Sequence, residues 1–139
     1  MGRRNVKIIA DTNLLVRAAM RDDPEQTALA ETALRNADSI AVTLPTLCEF
    51  VWVLTRGYRK TPGQAATAVR RLLSSATVAA DGPAADAGLA ILEAGGDFAD
   101  GVIAFEGRRL GGEVFVTFDR KAASLVDAAG TRARLLSRT

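Results

Sequence analysis

The sequence contains no histidine. That removes the usual general base near neutral pH and the commonest zinc ligand. Serine–histidine and cysteine–histidine nucleophilic catalysis are both excluded as a result. Cysteine occurs once, at Cys48, so no internal disulfide can form, and a reducing, cytoplasmic compartment is expected. Cys48 stands beside Leu47, Phe50 and Val51 and reads as a small buried hydrophobe. No apolar run approaches the roughly 20 residues that a membrane-spanning helix needs. The basic start at Arg3 and Arg4 leads into an apolar stretch that meets Asp11 too soon for a secretory signal. Lysine is scarce, limited to Lys7, Lys60 and Lys121. The remaining cations are arginines, whose planar donor fork suits phosphate. A net charge of +2 is too small to argue for nucleic acid by itself.

What is present is an apolar share of 48% in 139 residues, enough for the core of one domain spanning 1–139. Short β-branched runs predict strands at 6–10, 39–43, 76–79 and 113–117, with a last one at 132–136. Between them, helical spacing and proline-marked starts predict helices at 14–20, 25–36, 45–56, 62–73, 86–93, 99–110 and 120–128. Strands alternating with helices make this an α/β chain with a mostly parallel sheet covered on both faces.

Ligand sites of such sheets lie just beyond the carboxyl ends of the strands. Asp11 follows the first strand directly, and Asp119 follows the strand at 113–117. Aspartate is also an ordinary helix cap, so each of these positions has a purely structural reading as well. Glu49 sits in a helix that is apolar on nearly every side, where a charge is costly unless it is paired or holds a cation. Its structural alternative is a solvent-facing stripe shared with Thr46 and Arg56. Asp97 and Asp100, spaced i and i+3 at another helix start, add two carboxylates on one side. Asp97 suits a cap and Asp100 does so less well, because Val102, Ile103 and Phe105 are expected to bury that helix. Carboxylates gathered at one edge repel by roughly 4 kcal/mol per pair at about 4 Å and an effective dielectric of about 20. Such a group must protonate or bind a cation, and oxygen-only ligation suits Mg²⁺ or Mn²⁺. The chemistry that follows is phosphodiester hydrolysis.

In this order, Ile9-Ala10-Asp11-Thr12-Asn13-Leu14-Leu15-Val16-Arg17, Glu49 with Trp52-Val53-Leu54, Asp97-Phe98-Ala99-Asp100-Gly101-Val102-Ile103-Ala104 and Val116-Thr117-Phe118-Asp119 resemble the PIN-domain nucleases, and within them the VapC-like toxins of toxin–antitoxin pairs. The resemblance covers essentially the whole chain. It implies a three-layer α/β/α sandwich on a central parallel sheet of about five strands, and endoribonuclease activity with Mg²⁺ or Mn²⁺. It also implies an acidic quartet of Asp11, Glu49, Asp100 and Asp119. Asp11 and Asp100 would be the principal metal ligands, Asp97 an added carboxylate, and Asn13 and Thr117 would orient the acids. Homodimers and a cognate VapB-like antitoxin come with the resemblance. So does the alternative that the chain is a small PIN protein outside such pairs.

For the RNA itself, Arg120 and Lys121 follow Asp119 and are best placed to hold a phosphate, with Arg17 able to help and Tyr58 a candidate for stacking. Arg70, Arg71, Arg108 and Arg109 read more readily as solvated helix faces. Two other α/β classes place an aspartate after the first strand. Haloacid-dehalogenase-type phosphatases need a second aspartate where Asn13 stands, and response-regulator receivers need an acidic pair before Asp11, where Val6 to Ala10 stand. A non-catalytic copy of the fold, kept as a binding module, remains the alternative from another class. It gives no reason to keep so many mutually repelling acids.

Overall fold

A computed structural model describes residues 6–137, so the basic start at Arg3 and Arg4 lies outside the described residues. The chain divides into two compact units, one up to Asp81 and one from Gly82.

In the first unit, β1 (Lys7–Ile9), β2 (Ser39–Ala41) and β3 (Val78–Ala79) pair in that order. Both pairings are parallel, with Ile8 opposite Ile40 and Ile40 opposite Val78. Parallel neighbours need long crossovers. Helices α1 (Thr12–Met20) and α2 (Pro24–Asn36) make the first, and α3 (Leu44–Trp52) and α4 (Pro62–Leu73) make the second. Prolines sit in the first turns of α2, α3 and α4, where a missing N–H costs nothing. Thr61 adds a reciprocal cap with Gln64 at the start of α4. The core is built from Leu15, Val16, Ile40, Leu47, Phe50, Leu54 and Val69. After α3 the chain widens into a π-helical segment, Val53–Gly57, where an uninterrupted α-helix to Arg56 is expected from the sequence.

In the second unit, α5 (Gly82–Glu93) packs on α6 (Phe98–Arg109), and α7 (Arg120–Ala128) links β4 (Phe115–Thr117) to its parallel partner β5 (Ala133–Leu135). Ile91, Ala104 and Val126 form one cluster of its core, with Phe115, Leu125 and Ala133 packed against it, and Leu89, Leu92, Phe98 and Val102 are buried as well. Glycine lets α5 and α6 approach closely. A Cβ on Gly88 would lie 2.7 Å from the Phe98 ring. One on Gly101 would lie 2.8 Å from the Gly88 Cα and closer still to the Ala87 carbonyl oxygen.

The α/β class and the parallel strands expected from the sequence are both present. Among the described residues the five strands pair as a set of three and a set of two, every pairing parallel. Each strand is only two or three residues long. Among the described residues, no helix is long and apolar enough to cross a membrane.

Candidate active site

In the first unit the acids are placed by the start of α1. Asp11 is extended, and its carboxylate accepts a hydrogen bond of 3.0 Å from the Leu14 N–H, capping the helix that begins at Thr12. Thr12 then reaches α3: its hydroxyl donates to Glu49 Oε1 at 3.0 Å. One peptide step therefore separates the Asp11 cap from the residue that holds Glu49. Glu49 is exposed, which corrects the expectation of an acid embedded in an apolar helix. The buried side of α3 is Leu47, Phe50 and Val51, and Trp52 joins Glu49 in solvent.

In the second unit, Asp97 caps α6 by accepting from the Ala99 N–H at 3.0 Å. Asp119 caps α7 by accepting from the Ala122 N–H at 3.0 Å. Asp100 lies in the first turn of α6 and is half-buried. Burial pushes its carboxyl above the usual range, and the charges of Asp97 and then Asp119 push the same way. The three acids therefore share one electrostatic neighbourhood at the ends of two helices, just past the carboxyl end of β4. Thr117, expected to orient a carboxylate, bonds the backbone instead: its hydroxyl accepts from the Asp119 N–H at 3.0 Å, fixing the turn that carries Asp119.

Asp11, Asp97 and Asp119 thus serve as helix caps, the structural role that sequence reasoning allowed them. A cap commits one carboxylate oxygen to backbone N–H groups and leaves acceptor capacity on the other. Among the described residues, no group of three or more acidic or cysteine side chains is gathered closely enough to hold a metal ion. The donor chemistry nonetheless fits a hard divalent cation. Every candidate ligand is a carboxylate, and Asp100 is held where its charge is opposed by its neighbours and would be relieved by a cation.

Several expectations change. Arg17 donates to Asp22 at 3.1 Å and to the Tyr58 hydroxyl at 3.3 Å, and Tyr58 donates to Asp22 at 2.7 Å. Arg17 and Tyr58 are therefore tied into a structural cluster rather than held ready for phosphate or base. The Tyr58 hydrogen bond is the main reason that the Asp22 carboxyl lies below the usual range. Ile103 is exposed, leaving Val102 and Ala104 as the buried side of α6 together with Phe98. Cys48 is half-buried rather than fully buried. Arg109 pairs with Glu106 and stacks 4.4 Å above the Phe105 ring. Arg120 and Lys121 are exposed at the start of α7, directly after Asp119.

Thr12 is the residue that sequence reasoning missed. The resemblance gives orientation of the acids to Asn13 and Thr117, yet the hydroxyl adjacent to Asn13 makes the bond to Glu49. The available signal was a hydroxyl in the first turn after an aspartate cap.

Asp11 and Asp119 lie just past the carboxyl ends of parallel strands, where ligands of α/β sheets bind. The family model described as the PIN domain matches residues 8–128, which include Asp11, Glu49, Asp97, Asp100 and Asp119. The chain belongs to the PIN domain family. Among solved structures, it is similar to the crystal structure of PAE2754 from Pyrobaculum aerophilum at 22% identity. That similarity covers 96% of this chain and 92% of the other, with a TM-score of 0.32. No curated protein matches the chain.

Proposed function

We propose that this chain is a metal-dependent endoribonuclease and the toxin of a toxin–antitoxin pair. The single observation carrying the reading is the PIN family match, which spans all five candidate acids. In this reading residues 1–139 form one nuclease domain. Asp11, Glu49, Asp100 and Asp119 hold Mg²⁺ or Mn²⁺, and Asp97 adds a further carboxylate. The bound cation supplies Lewis-acid stabilisation of charge on the phosphodiester.

The chain's own residues do the rest. The capping bonds hold the Asp11 and Asp119 carboxylates in fixed orientations before substrate arrives, so little reorganisation is needed on binding. Thr12 fixes one Glu49 oxygen and leaves the other to act. Arg120 and Lys121 neutralise phosphates of the RNA strand next to Asp119. The toxin assignment brings a homodimer, a VapB-like antitoxin as the inhibitory partner and a cytoplasmic location. It is supported by the order and spacing of the acidic motifs.

The test is cleavage of a mixed single-stranded RNA pool with Mn²⁺, compared with the Asp11→Asn and Asp100→Asn variants. Loss of cleavage in both variants is expected. Cleavage that persists in both sinks the assignment of the acids.

A further inference from the structure

Trp52 is the sole tryptophan of the chain, and its side chain is 60% exposed. Leu47, Phe50 and Val51 give α3 its buried side, and the largest apolar side chain of the helix takes no part in that core. Single exposed hydrophobics are common on protein surfaces, so exposure alone decides nothing. The neighbours of Trp52 do. It lies three residues after Glu49 in the same helix, which puts the two side chains on one face a turn apart. On that face Glu49 is held by Thr12, beside Asp11. Four residues beyond Trp52, Arg56 is exposed within the π-helical segment. The segment closes with the Tyr58 N–H donating to the Val53 carbonyl at 3.0 Å. Its turn is longer than an α-turn, so Arg56 stays close to the side that Trp52 occupies. Read along the helix, this face presents a carboxylate, an aromatic ring and a guanidinium.

We infer that Trp52 is a stacking platform for one base of a single-stranded RNA, and that Arg56 takes the phosphate on the side away from Glu49. The inference rests on the nuclease reading above and adds to it a substrate-binding residue. A base offers a flat π-face to an indole whatever its identity, so stacking here would be tolerant of sequence. The charge order suits a polyanion that approaches the acidic end only where a cation offsets it and is held by arginine at the other. A second copy of the chain fits this face less well. Trp52 is the lone large hydrophobic exposed on α3, flanked by charges, whereas a stable self-interface buries on the order of 800 Å² per partner.

Because no other tryptophan contributes, its emission reports this face directly. The full chain is mixed with single-stranded RNA and Mn²⁺, and emission is followed at RNA concentrations that saturate cleavage. Saturable quenching is expected, with a midpoint that tracks KM. Trp52→Ala should raise KM roughly 5- to 100-fold, with the loss falling on KM rather than kcat, while Trp52→Phe keeps most of the affinity. The melting temperature of Trp52→Ala should match that of the parent, since the ring is not in the core. Cleavage with unchanged emission, or with an unchanged KM in Trp52→Ala, overturns the platform and leaves the nuclease reading standing. So does a Trp52→Ala chain whose only change is a shift from dimer to monomer in sedimentation. If no RNA is bound or cleaved by the parent, the nuclease reading itself fails and the platform fails with it.

Discussion

The Thr12 hydroxyl donates a 3.0 Å hydrogen bond to Glu49 Oε1 across 37 residues of sequence. It joins the first turn of α1, which Asp11 caps, to the exposed side of α3. An acid oriented in this way keeps one oxygen to act, and on the proposed reading the orienting group belongs to the site although it carries no charge.

Replacing Thr12 with valine keeps the shape and removes the donor. Groups that orient acidic ligands typically cost roughly 10- to 100-fold in metal affinity or activity when lost. Cleavage by Thr12→Val should fall within that range, and its Mn²⁺ dependence should shift to higher concentration. The bond lies at the surface, so folding stability should change by no more than about 0.5 kcal/mol. Metal titration of the cleavage rate beside a urea melt separates the two effects.

Asp100 gives a pH signature. Folding raises its pKa, so the folded chain binds more protons than the unfolded chain in the window that opens at the ordinary aspartate value of 3.8 and extends upward. Stability must fall as pH rises through that window. Asp100→Asn lacks that contribution. The metal-free variant should therefore gain in stability relative to the parent as pH rises through the acidic range, and be at least as stable at neutral pH. Thermal melts between pH 3 and pH 7 read the difference directly, and parallel curves for the two proteins would refute it.

A divalent cation should stabilise the chain by relieving the same repulsion. At a concentration of about 100 times Kd the gain is about 2.7 kcal/mol. The melting temperature should rise with millimolar Mn²⁺, less so for Asp100→Asn and Asp11→Asn. A parent melting curve indifferent to Mn²⁺ would count against the acidic set as a cation site.

Much of this was legible in the sequence because its markers are local. Pro24, Pro45 and Pro62 fix helix starts within the first turn, and the β-branched runs 6–10 and 39–43 contain strands that do form. Asp97 declared itself as a cap. What escaped notice depends on neighbours remote in sequence. Composition predicts a helix from 86, yet α5 starts at Gly82, with Pro83 in a first turn where proline is tolerated. Arg17 looked available for phosphate until Asp22 and Tyr58 were seen to claim it. Ile103 carries the residue type of a core position and faces solvent. The π-helical widening after Trp52 has no sequence signature at all. The acids themselves were readable as a set only through the order of their motifs.

The Arg17–Asp22–Tyr58 cluster should act on stability rather than on cleavage. Tyr58→Phe removes the bond that chiefly lowers the Asp22 pKa. In the parent, a depressed Asp22 pKa contributes stability above the ordinary aspartate pKa, and that contribution disappears as pH falls through the lowered value. Tyr58→Phe should melt earlier at neutral pH and converge with the parent in acid. Its cleavage rate per folded molecule should stay at the parent level. A rate that fell while the melt stayed fixed would return Tyr58 to the substrate.

Gly101 should tolerate no side chain. Overpacking typically costs about 1–3 kcal/mol, sometimes more, and here the obstacle is backbone of α5 rather than a movable side chain. Gly101→Ala should unfold at markedly lower denaturant, whereas Gly107→Ala, where a Cβ meets nothing within 4 Å, should not.

That crowding has a bearing on how any mutational survey of this protein is interpreted. Gly101 follows Asp100 immediately, so a screen scored only by loss of function would record both as equally intolerant and suggest a chemical role for each. Abundance measured in the same cells should tell them apart: on the proposed reading Asp100→Asn leaves plentiful inert protein, whereas Gly101→Ala leaves little protein of any kind.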